Sequence, residues 1–106
     1  MNVLFDKGTP HPLRRSLRPH AVTLIEQLGW SETIKNGDLL RAAEQAGFAA
    51  IVTTDTKWRE QQNFRQFHLA IVVLRPAHWP TIRPHAIEIK NALDQIQAGE
   101  YVELKF

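Results

Sequence analysis

The sequence predicts an α/β fold, a three-layer sandwich around a mostly parallel central sheet of about five strands, from three features. Apolar runs at Val3-Leu4-Phe5, Ala49-Ala50-Ile51-Val52 and Leu69 to Leu74 are continuous rather than alternating, as strands covered on both faces require. Between them lie segments whose apolar residues recur at helical spacing: Leu39, Leu40 and Ala43, then Ile82, Ala86, Ile89, Leu93 and Ile96. Two of the apolar runs stop at a carboxylate, Asp6 and Asp55, and ligands of such sheets bind outside the carboxyl ends of the strands.

Met1 to Phe5 reads as the first strand. Gly8-Thr9-Pro10-His11-Pro12 is turn chemistry, with Thr9 as a candidate N-cap and Pro10 at the first helical position. Leu13 to Arg18 then forms a short helix stopped by Pro19, and His20 to Leu24 a second strand. Ile25 to Trp30 fits a helical turn broken by Gly29, and Ser31 to Lys35 a loop. Asn36, as N-cap, opens a helix that ends at Ala46-Gly47.

Phe48 to Thr54 is the central strand, and Arg59 to Phe67 a short helix or ordered loop. Leu69 to Leu74 is the next strand, and Arg75 to Pro80 a proline-bounded connection. Thr81 to Gln97 reads as one helix ended by Gly99, before an alternating edge strand from Tyr101 to Phe106. Right-handed crossovers leave few topologies, and the order 2-1-3-4-5 suits these elements.

The whole chain, 1–106, is expected to be one domain. Its 43% hydrophobic and 23% charged residues are ordinary for a globular protein, and the absence of cysteine excludes disulfides, thiolate metal sites and cysteine nucleophiles. With no apolar stretch of membrane-spanning length and no signal-peptide pattern, no membrane partner is expected and the cytoplasm is the default location. Neither a dinucleotide fingerprint, a P-loop nor a nucleophile elbow is present, and the five histidines lack metal-binding helical spacing.

If strands one and three are adjacent and parallel, Asp6 and Asp55 meet at one edge of the sheet, about 4.8 Å being the spacing between neighbours. Asp38, at the start of the helix leading into strand three, is a third candidate for that edge. Carboxylates so close need a positive group among them, either a lysine or a divalent cation. An all-oxygen set with water suits Mg²⁺ or Mn²⁺. Each acid also has a plain structural role open to it: Asp6 and Asp55 can end strands, and Asp38 complements a helix dipole.

At these residues the chain resembles the PIN-like nuclease superfamily, and within it a small bacterial branch often associated with toxin–antitoxin gene pairs. The likeness rests on Asp6-Lys7-Gly8-Thr9-Pro10, on Asp38-Leu39-Leu40 and on Thr53-Thr54-Asp55, and it spans nearly the whole chain. It implies Mg²⁺- or Mn²⁺-dependent cleavage of RNA, with Asp6, Asp38 and Asp55 as catalytic metal ligands and Thr53 bracing the site through its hydroxyl. Arg14, Arg15, Lys57 and Arg59 are then candidates for holding the RNA backbone.

The expected partners are RNA, an antitoxin protein and a second copy of the chain. The sequence departs from larger PIN domains in lacking a further acid after the first strand, and it has Thr56-Lys57-Trp58 where another acid is common. Lys7 beside Asp6 and Lys57 near Asp55 therefore leave open a PIN-like module in which lysine replaces the ion. A phosphoacceptor domain of receiver type is a third class, disfavoured because Asp6-Lys7 is not an acidic pair.

Overall fold

The computed structural model describes residues 1–31, 33–60 and 66–106. Five strands form one sheet in the order β2-β1-β3-β4-β5, and every neighbouring pair is parallel. They are β1 (Asn2–Phe5), β2 (Ala21–Leu24), β3 (Ala50–Thr53), β4 (Ala70–Arg75) and β5 (Tyr101–Lys105). The continuous apolar runs occupy the middle of the sheet: all four residues of β3 are buried, as are the first five of β4.

Alternation along the strands divides the core into two layers. Val3, Phe5, Val52, Val72 and Leu74 face one side, packed with Leu13, Leu17, Ile82, Ile89 and Leu93. Leu4, Ile51, Ile71 and Val73 face the other, packed with Leu39, Leu40, Ala43 and Trp58. A 3-10 helix (His11–Leu17) and the helices α2 (Trp79–Ile82) and α3 (Ala86–Gln95) cover the first side. α1 (Asn36–Gln45) and a 3-10 helix (Thr56–Glu60) cover the second. The result is a three-layer α/β sandwich whose strands all end at the same edge.

Several element boundaries differ from those the sequence suggests. The expected helix over Thr81 to Gln97 is α2, a 3-10 turn (Arg83–His85) and α3 in succession. Pro84 supplies no N–H and its ring crowds the carbonyl four residues earlier, so the α-helical ladder is interrupted there. Thr9 is not an N-cap: its hydroxyl is buried and donates to the Val52 carbonyl at 3.0 Å, tying the loop after β1 onto β3. Asn36 is the first residue of α1, with Lys35 in the cap position. Of the segment Arg59 to Phe67, residues 61–65 lie outside the described residues.

A polar clamp fastens the chain after β3 to the far edge of the sheet. Arg59 donates to Glu103 through Nε and, at 2.8 Å, through Nη2, while the Tyr101 hydroxyl donates to Glu103 Oε1 at 2.7 Å. These donors, Arg59 first and Tyr101 second, hold the Glu103 carboxyl down at about 2, from an ordinary 4.5. A depressed carboxyl stabilises the fold above its unfolded value and ceases to do so as pH falls through its folded value. The clamp is therefore fully effective above pH 4.5 and is lost between 4.5 and about 2. In acid titrations followed by circular dichroism, Glu103→Gln should lower stability at neutral pH and lack this component of acid destabilisation. Parallel acid titration curves for parent and variant would contradict the assignment.

Candidate functional site

The register between β1 and β3 decides what meets at the carboxyl edge. Phe5 pairs with Val52, so the next residues, Asp6 and Thr53, stand level. Asp6 follows Leu4 and Thr53 follows Ile51 in the two-residue alternation, which turns both toward the layer that buries Trp58. The Thr53 hydroxyl accordingly donates to Asp6 Oδ2 at 2.9 Å, and the Trp58 indole N–H points to the same oxygen at 3.4 Å. Asp6 Oδ1 accepts the backbone N–H of Lys7 at 2.8 Å.

Asp55 is joined to this group through one atom. Thr53 Oγ1, while donating to Asp6, accepts the Asp55 backbone N–H at 3.1 Å. The Asp55 carboxylate accepts the Lys57 backbone N–H at 2.9 Å, which sets its direction at the start of the 3-10 helix. A fully buried threonine thus couples the two acids, and its isostere is informative. Thr53→Val keeps the volume but leaves Asp6 and the Asp55 N–H each without this partner. The expected cost is about 1–3 kcal/mol in denaturant unfolding. If Asp6 holds a metal ion, loss of the hydroxyl that orients it lowers the affinity about 10–100-fold by calorimetry. An unchanged affinity would remove Thr53 from the site.

The loop after β1 is shaped to bring Asp6 in. Asp6 N–H donates to the Val52 carbonyl at 2.9 Å, and Thr9 N–H to the Asp6 carbonyl at 3.1 Å. Gly8 takes φ +86°, and a Cβ there would come within 3.2 Å of Thr54 Oγ1. The positive φ therefore favours glycine at this position, and a side chain there would also press on the Thr54 hydroxyl.

Above the two aspartates opens a cleft of about 480 Å³, whose walls include Asp6, Asp55, Lys7, Glu26, Trp30 and Asn36. Among the described residues three carboxylates stand against one lysine in its walls, which makes the cleft electronegative. Glu26 comes from the 3-10 helix (Ile25–Leu28) directly after β2, and its carboxylate lies 3.2 Å from His11 Nε2. Neither Glu26 nor Trp30 was expected beside these acids from the sequence. The signal was the strand order itself: in a 2-1-3 arrangement, whatever follows β2 lands beside the residue that ends β1.

The structure does not bring Asp38 to this cleft. Asn36 lines it, and two residues along an α-helix turns a side chain by about 200°. Asp38 is exposed and its carboxylate lies 3.2 Å from Arg41 on the same helix. Among the described residues no three of His, Asp and Glu gather closely enough to hold one ion. The three-carboxylate cluster anticipated from the sequence is therefore a pair, Asp6 and Asp55, with Glu26 across the cleft.

The expected RNA-holding cations also separate. Arg59 is committed to Glu103, 44 positions later, and Lys57 contributes its backbone N–H to Asp55 while its side chain is exposed. Arg14 and Arg15 line a different cavity, with Arg18. Trp58, the tryptophan nearest the acids in sequence, is completely buried beneath them, and Trp30 is the one that lines the cleft.

The donor set is all oxygen and nitrogen of hard character, with no thiol or paired histidine at the mouth. It fits the binding habit of Mg²⁺, which keeps several waters and uses one or two carboxylates together with substrate phosphates. Compared with known proteins, the chain matches no family model, no curated protein and no solved structure.

Proposed function

We propose that the chain is a PIN-like ribonuclease that cleaves RNA phosphodiesters with Mg²⁺ or Mn²⁺ held by Asp6 and Asp55. The single observation behind this reading is that Asp6, its carboxylate held by the Thr53 hydroxyl, and Asp55, its backbone N–H bound to that same hydroxyl, both line one electronegative cleft. Such a cleft repels a phosphodiester unless a cation enters with it. The bound ion supplies charge neutralisation and Lewis acidity at the scissile phosphate.

The chain's own residues supply placement. Thr53 and the Trp58 indole occupy Asp6 Oδ2 and the Lys7 N–H takes one lone pair of Oδ1, leaving the other lone pair of Oδ1 for ligation. The Lys57 N–H does the same for Asp55, and Lys7 at the cleft wall supplies a positive charge for a non-bridging oxygen. In keeping with the family resemblance, the biological role we propose is the RNA-cleaving toxin of a toxin–antitoxin pair, restrained by a partner protein.

The test is incubation of the purified protein with unstructured RNA in Mg²⁺ or Mn²⁺, and again with EDTA. Cleavage that depends on the metal is the expected result. A second reading, a PIN-like module without catalysis that binds a partner protein or its own copy, is favoured by Asp38 standing away from the pair and by Lys7 in the cleft wall. No cleavage, together with a melting temperature that neither Mg²⁺ nor Mn²⁺ changes, would select that module.

A further inference from the structure

The 3-10 helix after β1 carries a second site. Leu13 and Leu17 are fully buried on its inner face, which turns Arg14, Arg15 and Arg18 outward along the open edge of β2. With His20 and Val22 these three arginines line a cavity of about 370 Å³. Among the described residues no carboxylate is part of its wall, and none of the three guanidinium groups has an ion-pair partner.

The acid that meets His20 is spoken for. Asp94 on α3 lies 2.8 Å from Lys90 Nζ and 2.6 Å from His20 Nε2, and these partners, Lys90 first, hold its carboxyl below the usual range. Asp94 on one ring nitrogen and the Met1 amino group, 3.2 Å from the other, set the orientation of the His20 ring.

The backbone adds a donor. Ala21 N–H reaches the carbonyl of Met1, the residue before β1, and successive residues of a strand point their N–H groups to opposite sides. Val22 N–H is therefore directed to the open edge, as is that of Leu24, which the Gln27 side chain caps at 3.0 Å. β2 pairs with β1 alone, so the Val22 N–H is presented at the cavity.

We propose that this cavity is a phosphoryl-group site separate from the carboxylate cleft. Guanidinium forks match the oxygens of a phosphate in pairs, and three of them with a backbone N–H and no competing carboxylate favour a doubly charged or diester anion. The two sites stand at different levels of the sheet. Val22 pairs with Val3, three residues before Asp6, which places them about 10 Å apart along the strand direction. The ligand is the phosphate of a nucleic-acid backbone or that of a small phosphorylated molecule, and one experiment separates the two.

Melting temperature is measured against inorganic phosphate, with chloride at equal ionic strength as control. RNA binding is followed by fluorescence anisotropy in EDTA across a salt series. The parent should be stabilised by phosphate, and the triple variant Arg14→Ala, Arg15→Ala, Arg18→Ala should not be. All three side chains are exposed, so the variant is expected to fold. If the natural ligand is nucleic acid, the salt slope for single strands falls by about 2 in the triple variant, at about 0.7 per phosphate contact. If phosphate stabilises the parent and the slope is unchanged, the site serves a small phosphorylated molecule. Neither assay needs a metal or cleavage at the carboxylate cleft, so failure here and failure of the cleft reading are distinguishable. Absence of a phosphate-specific shift in the parent, or its retention in the triple variant, would overturn the proposal.

Discussion

Asp55→Asn is expected to abolish metal-dependent RNA cleavage, with a loss of at least about 100-fold, since even groups that only orient a metal ligand are worth about 10–100-fold. The variant should remain folded. Its amide oxygen still accepts the Lys57 N–H, and the Asp55 backbone N–H still reaches Thr53 Oγ1. Loss of charge, not loss of structure, is therefore what the substitution isolates. Asp6→Asn is a less clean probe of the same site. Its oxygen must face the fixed Lys7 N–H, which turns the amide nitrogen toward the Trp58 indole donor. Destabilisation of about 1–3 kcal/mol is expected alongside lost activity. A fully active Asp55→Asn would remove that residue from the chemistry.

Trp58→Ala should have the largest effect on stability, about 3–5 kcal/mol, because truncating a buried aromatic removes its transfer energy and leaves a cavity. The side chain has no exposed surface and packs among Leu4, Leu39, Leu40 and Ile71. Trp58→Phe retains much of that packing and loses the N–H directed at Asp6, so it should cost less in stability than the alanine variant while still weakening metal binding. Urea unfolding measures the first effect and calorimetric metal titration the second. Equal stability losses in the two variants would show that the ring's volume is not what matters at this position.

How much of this was legible in the sequence follows from how local each determinant is. The order of the five strands was legible because continuous apolar runs demand cover on both faces and right-handed crossovers permit few ways to provide it. Asp6 and Asp55 were legible for the same reason: they stand where an apolar run stops, and a parallel sheet aligns such ends. Asp38 was not, because a residue near a helix start can face any direction, and its facing depends on how α1 rolls against Leu4 and Ile51.

The cations were harder still. Charge clusters say nothing about partners across the sheet, and Arg59 is taken by a glutamate on the last strand. Glu26 could have been found, since the expected strand order put the end of β2 beside Asp6, but the segment after β2 carried no clear periodicity to anchor it. The helix expected over Thr81 to Gln97 failed at one residue, Pro84, whose conflict with the α-helical ladder outweighed the apolar spacing around it.

The central claim is that Asp6 and Asp55 together hold a divalent cation, and a titration of isotopically labelled protein with Mn²⁺ followed by NMR tests it most directly. Paramagnetic broadening should begin at the amides of Lys7, Thr54 and Thr56, extend to Trp30 across the cleft, and disappear in Asp55→Asn. Broadening centred on Asp38 and Arg41, or spread evenly over the surface carboxylates with the amides around Asp6 and Asp55 untouched, would contradict it.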